Sequence, residues 1–284
     1  MSDIQTKIKF IQYSLNKLTS ESISNTETKD TYFKLFNQLH NKKTLMIAGS
    51  QGSGKSTLSL LIKTYFKKFY KKDVVILSID DFYLSSHQRK QLANKSKTNL
   101  FKTRGVPGTH NLKSLNNSID KLKANKFPVY LPVFDKVTDN KKNYTRKVNK
   151  ADLIILEGWC VGTKPVEPSY LKKNINELEK KSDPDMIWRT SYNQALIEYQ
   201  KLFNKFNYYI FIKLPDWKYV SNWKYKQELN LRSLRSDNHL KKKLYIFIQY
   251  YEKLSKWMSL TCPDICNVLI TLDKNQKMSK IIYK

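Results

Sequence analysis

The stretch Met46-Ile-Ala-Gly-Ser-Gln-Gly-Ser-Gly-Lys-Ser-Thr-Leu-Ser-Leu-Leu61 decides the fold. Seven glycines occur in 284 residues, and three of them, Gly49, Gly52 and Gly54, fall within six positions here. Gly49 to Ser56 fits G-x-x-x-x-G-K-[ST], a loop whose backbone N–H groups turn inward around phosphate. Each glycine removes a Cβ that would block that geometry. The run Gly49, Ser50, Gln51, Gly52, Ser53, Gly54, Lys55, Ser56 and Thr57 is therefore the candidate nucleotide-binding segment. Lys55 reaches the β- and γ-phosphates, and the Ser56 hydroxyl faces Mg²⁺. The flanks agree. Thr44 to Ala48 is a short apolar run, hence a buried strand. Leu58, Leu61, Ile62, Tyr65, Phe66 and Phe69 recur at helical spacing. The positive end of that helix adds to anion binding.

The same alternation continues along the chain. Apolar runs at 73–79, 152–156, 208–213 and 267–272 read as strands. Helical patterns lie at 112–124, 190–206, 217–233 and 240–258. Strands alternating with helices, together with the glycine loop, predict an α/β fold of the P-loop NTPase kind: a parallel sheet of about five strands with helices on both faces. The N-terminal 43 residues predict a helical segment (about 3–18 and 30–40, with a polar loop at 19–29). Residues 44–284 predict one α/β domain built on the glycine loop.

Ligands of such sheets bind at the carboxyl ends of the strands. Two strands there end in acids. Ser78-Ile-Asp-Asp81 offers two adjacent carboxylates, and alternation along a strand lets one of them face the γ-phosphate. Asp80 is that candidate, as base, Mg²⁺ ligand or both. Asp81 reads as a cap for the next segment. Leu153-Ile-Ile-Leu-Glu157-Gly158 ends in Glu157, a second Mg²⁺-side acid, with Gly158 expected to turn the chain close to ligand. Lys55, Asp80 and Glu157 are the candidate catalytic residues, and Ser56, Asp80 and Glu157 the candidate metal ligands. Arg104-Gly-Val-Pro-Gly-Thr-His110-Asn111 and Leu131-Pro-Val-Phe-Asp135-Lys136 cluster charged and ring side chains in a way that turn chemistry alone does not explain.

The formal net charge is +28. The lysines are spread over helices rather than gathered in a block or stripe, so they read as solvated faces and not as a nucleic-acid surface. No run of 18 apolar residues exists, which predicts no membrane span. The N-terminus reads as an amphipathic helix rather than a secretory signal. Three cysteines, Cys160, Cys262 and Cys266, make neither a disulfide framework nor a four-ligand zinc site, and a reducing cytoplasmic setting is expected.

Taken in order, GSQGSGKS, SIDDFYL, RGVPGTHN, LPVFDK and LIILEGW resemble the plant- and fungal-type D-glycerate 3-kinases. These sit in the P-loop kinase group with uridine kinase, phosphoribulokinase and pantothenate kinase. The resemblance covers roughly residues 44 to 272. It implies ATP and Mg²⁺ as cofactors and a small carboxylate as substrate. It makes residues 44–284 a P-loop kinase domain with a helical lid at about 228–240, and it places Arg104, His110, Asp135 and Lys136 around the acceptor, and Arg232 and Arg235 on that lid over the phosphates. Trp223-Lys-Tyr-Lys-Gln227-Glu228 resembles that group's W-R-x-x-Q-E helix. Two positions depart from it: Asn111 stands where an aspartate is expected, and Lys224 where an arginine is expected. Two other readings remain at this stage. One is a kinase of a different alcohol, a uridine-like nucleoside or a pantothenate-like acceptor. The other is a basic P-loop ATPase acting on nucleic acid.

Overall fold

The computed structural model describes residues 3–19, 22–232 and 235–284, with 231 and 232 described by backbone alone. In chain order the elements are α1 (Asp3–Thr19), α2 (Asn25–Thr28), α3 (Lys34–Leu39), β1 (Thr44–Gly49), α4 (Lys55–Tyr70), β2 (Val74–Ser78), α5 (Ser86–Lys95), α6 (Leu112–Lys123), β3 (Val129–Asp135), β4 (Asn140–Val148), β5 (Leu153–Gly158), α7 (Pro168–Lys172), α8 (Glu177–Ser182), α9 (Ile187–Phe203), β6 (Tyr209–Lys213), α10 (Val220–Arg232), α11 (Asn238–Ile265), β7 (Val268–Leu272) and β8 (Met278–Tyr283). A π-helical turn, Lys29–Phe33, joins α2 to α3, so the second helical stretch starts at Asn25 rather than near residue 30.

The main sheet runs β2-β5-β1-β6-β7-β8. Its first five strands pair in parallel, and β8 pairs antiparallel with β7. The expected parallel strands are thus present, and the sheet has one strand more than expected. β8 escapes sequence reading because Met278-Ser-Lys-Ile-Ile-Tyr283 is a half-exposed edge strand, with Lys280 on it. Edge strands carry such charges without a strong apolar signature.

Alternation along each central strand divides the core in two. Met46, Ala48, Val75, Leu77, Ile154, Leu156 and Phe211 point to one face, where they meet residues of α6, α9 and α11. Leu45, Ile47, Leu153, Ile155, Ile210 and Ile212 point to the other, where α1, α3, α4 and α10 contribute. Strands β1 and β5 are buried along their whole length. A sheet covered on both faces requires this of its central strands. β3 and β4 form a separate antiparallel hairpin. β4 is almost entirely exposed and rich in lysine, so no apolar alternation announces it.

Candidate active site

β1 and β5 are neighbours, as are β5 and β2, so their carboxyl ends share one edge of the sheet. Ser78 pairs in register with Glu157, which sets the two acidic strand ends side by side. The glycine loop leaves β1 at that edge and enters α4 through Gly54, at φ 83°. That left-handed conformation favours glycine.

Lys55 Nζ donates to the Ser50 carbonyl at 2.8 Å, which folds the side chain back over its own loop. Burial lowers the Lys55 pKa, and the charges of Glu157 and Asp80 oppose that shift. Ser56 Oγ donates to Glu157 Oε1 at 3.1 Å. Glu157 is 6% exposed; burial raises its pKa and Lys55 pulls it back. Inside the loop the hydroxyls of Ser50 and Ser53 and the Gln51 side-chain oxygen are buried without a protein partner. Buried polar atoms call for partners. Phosphate oxygens between the loop N–H groups would give the two hydroxyls acceptors, and the Ser56–Glu157 contact places a hydroxyl and a carboxylate where Mg²⁺ would be held. The residues therefore fit both groups.

Asp80 sits in a short 3-10 turn immediately after β2. Its Oδ2 accepts from Lys136 Nζ at 2.6 Å and its Oδ1 from the Tyr83 hydroxyl at 2.5 Å. Burial works against its charge, but Lys136 and these hydrogen bonds outweigh burial and hold the carboxyl well below the usual range. Lys136 is held charged by Asp80 in turn. Asp81 points elsewhere. Its Oδ1 accepts from the Phe134 N–H at 3.2 Å, so it ties β3 to the end of β2. The cap of the following helix is instead Ser85, in a reciprocal box with Gln88. The expected role of Asp81 is corrected accordingly.

A cavity of about 80 Å³ lies over this edge. Lys55, Arg104, Lys136 and Lys224 bring cationic side chains to it, and Asp80 and Glu157 bring carboxylates. Tyr83, Trp159, Phe247 and Tyr251 supply its aromatic wall. Arg104 is aimed by an ion pair with Asp139, a 3.2 Å hydrogen bond to the Lys136 carbonyl, and a position 5.8 Å from the Phe134 ring centre. Behind it, the Tyr251 hydroxyl donates to the Arg104 carbonyl at 2.8 Å, and Trp159 Nε1 donates to the Gly105 carbonyl at 2.9 Å. A Cβ at Gly105 would lie 2.5 Å from the Tyr251 hydroxyl, so glycine is required there. Gly158 has a similar reason. It lines the cavity, as expected, and a Cβ there would lie 2.4 Å from Ile79 Cγ2.

Of the four acceptor candidates, the structure brings Arg104 and Lys136 to the cavity wall and leaves His110 and Asp135 off it. Asp135 Oδ1 accepts from the N–H groups of Val137 and Thr138 at 2.8 and 3.4 Å, closing the hairpin turn. His110 is 5% exposed and lies behind Tyr83, with ring centres 4.8 Å apart. Its Nδ1 meets the Tyr199 hydroxyl at 2.6 Å, and burial pushes its pKa down to about 4. Asn111 accepts from Ser114 N–H at 3.0 Å as the N-cap of α6, a task asparagine and aspartate share. Lys224 lines the cavity and donates to Gln227 and Glu228 at 3.2 and 2.6 Å. The Arg232 side chain lies outside the described residues. Arg235 is exposed and lines neither this cavity nor the one on the far side of the loop. Sequence reasoning missed Asp139, Phe247 and Tyr251. The last two sit in the long α11, where helical apolar spacing makes them look like any core residue.

Residues 44–164 match the phosphoribulokinase/uridine kinase family. An uncharacterised kinase of Schizosaccharomyces pombe, mug58, is 28% identical over 73% of this chain and 77% of its own length. The chloroplastic D-glycerate 3-kinase of Arabidopsis thaliana is 29% identical over 64% of this chain and 40% of its own length. The solved structure of a D-glycerate 3-kinase from Cryptococcus neoformans superposes over the full length of both chains, with a TM-score of 0.71 and 22% identity, and so shares the fold. Among the described residues no helix is long and apolar enough to cross a membrane. Residues 44–164 therefore carry the sequence of the phosphoribulokinase/uridine kinase family, and the chain is an ATP-dependent phosphotransferase.

Proposed function

We propose that this kinase transfers the γ-phosphoryl group of ATP to the 3-hydroxyl of D-glycerate, in a cytoplasmic setting and without a nucleic-acid partner. The observation that carries the reading is the cavity itself. At about 80 Å³ it suits a few-carbon acid, whereas larger ligands occupy sites of roughly 300–1,000 Å³. Its wall carries more cationic than acidic side chains, as a carboxylate and a triphosphate require. The curated relative from Arabidopsis, a D-glycerate 3-kinase by name, supports the same substrate.

Arg104, fixed by Asp139, holds the acceptor carboxylate. Asp80 takes the proton of the attacking hydroxyl; Tyr83 and Lys136 keep it ionised and aimed. Lys55 lies against the transferred phosphoryl group, where charge spreads over the equatorial oxygens. Mg²⁺, held by Ser56 with Glu157 and Asp80 beside it, would neutralise charge on the phosphate oxygens. Lys224 adds a further cation, the position where the resemblance expects arginine.

Glycerol tests the reading, since it keeps the hydroxyls of D-glycerate and lacks the carboxylate. Hydrogen bonds to a charged group contribute about 1.5–3 kcal/mol each. Glycerol should therefore be at least about a hundredfold poorer in kcat/KM, equivalent to about 2.7 kcal/mol. Arg104→Ala should shrink that ratio more than it weakens ATP binding. Equal use of glycerol and D-glycerate would remove the carboxylate-recognition reading.

A further inference from the structure

A second cavity, of about 520 Å³, lies on the far side of the phosphate loop. It shares Gly52, Lys55, Ser56 and Gln227 with the acceptor cavity, so the two meet at the loop. Their characters differ. The first holds the carboxylates Asp80 and Glu157; the second has no acidic side chain on its wall. A triphosphate reaching from the loop toward Asp80 and Glu157 must leave its nucleoside on the other side. The second cavity takes it, at a volume within the usual range for such ligands.

The N-terminal segment supplies part of that wall. α1 packs on α4, with Phe10 and Phe69 edge to face at 5.3 Å. The last turns of α1 extend beyond this contact and bring Leu15 and Leu18 to the cavity, where Tyr32 joins them. Leu272 and Met278 line it from β7 and β8. The turn between those strands is tied to the loop, because Gln276 Nε2 donates to the Gly52 carbonyl at 2.7 Å. An aromatic ring, aliphatic side chains and a sulfur beside a phosphate loop suit a planar base with its ribose. Packing alone does not account for Leu18, which remains 39% exposed at the cavity rim. We propose that α1 and the Lys29–Phe33 turn complete the nucleoside half of the ATP site, with Leu18 and Tyr32 contacting the base. The proposal rests on the kinase reading above.

Calorimetric titration of the full chain with ADP and with inorganic pyrophosphate separates the two ideas, because pyrophosphate has no nucleoside. In Tyr32→Ala and Leu18→Ser the Kd for ADP should rise about tenfold, the scale of a lost base contact. The Kd for pyrophosphate should stay within about twofold. Leu18→Ser alters an exposed side chain and carries the test if Tyr32→Ala does not fold. Unchanged ADP binding in the folded variants, or equal weakening of both ligands, would overturn the assignment of the N-terminal segment and leave the kinase reading standing. Failure of the unaltered chain to bind either ligand would overturn the phosphate-loop reading and this proposal with it.

Discussion

Asp80 is the residue on which the chemistry turns, and its surroundings explain how a carboxylate stays ionised in a partly closed cavity. Tyr83 and Lys136 each occupy one of its oxygens. Asp80→Asn keeps the size and loses the charge. General-base help is typically worth about 10²–10⁴ in rate. Single-turnover measurements should show a kcat loss in that range with ATP binding retained; a loss under about threefold would take Asp80 out of the reaction path. His110 gives a second residue-level outcome, in stability. Its pKa falls from an ordinary 6.5 to about 4 on burial, so the unfolded chain binds a proton there that the folded chain refuses. Stability from this site is therefore complete above pH 6.5 and is lost as pH falls toward 4, by roughly 3 kcal/mol in all. Thermal unfolding from pH 8 to 4 should show this loss, and His110→Phe should flatten it. An unchanged pH slope in that variant would assign the loss to other groups.

At the scale of elements, the β3–β4 hairpin positions Arg104. Asp139, in its turn, pairs with both Arg89 and Arg104. Arg89 is fully buried and otherwise donates to the Leu84 and Lys102 carbonyls. Asp139→Asn should cost about 1–3 kcal/mol in denaturant unfolding, the penalty of weakening a buried charged partner. It should also raise the acceptor KM, because Arg104 loses its anchor. A variant with unchanged acceptor KM would show that Arg104 is held well enough by Lys136 and Phe134. Of this hairpin only the β3 stretch, Leu131 to Lys136, was legible in the sequence. Asp139 lies 35 residues from Arg104 and 50 from Arg89, and β4 shows no apolar alternation. The phosphate loop was legible because its backbone geometry is written in glycine spacing. Asp80 and Glu157 were legible because an acid closing an apolar strand is costly without a partner. His110 was harder to place. The sequence shows its motif, but only the fold puts Tyr83 between its ring and the cavity.

For the whole molecule, the sheet order brings the ends of β1, β2 and β5 together, and the loop that leaves β1 divides the site into two halves. One half is small and holds two carboxylates; the other is larger, mixed in character and without an acidic side chain. Charge spread over helix faces raises the local concentration of small anions without forming a binding stripe. Phosphorus-31 magnetic resonance of the purified chain with ATP, Mg²⁺ and each of D-glycerate, uridine and pantothenate tests the central claim most directly. The account predicts ADP and 3-phosphoglycerate from the first mixture, no phosphorylated product from the other two, and none from D-glycerate with Lys55→Ala. Phosphorylation of uridine or pantothenate in place of D-glycerate would contradict it.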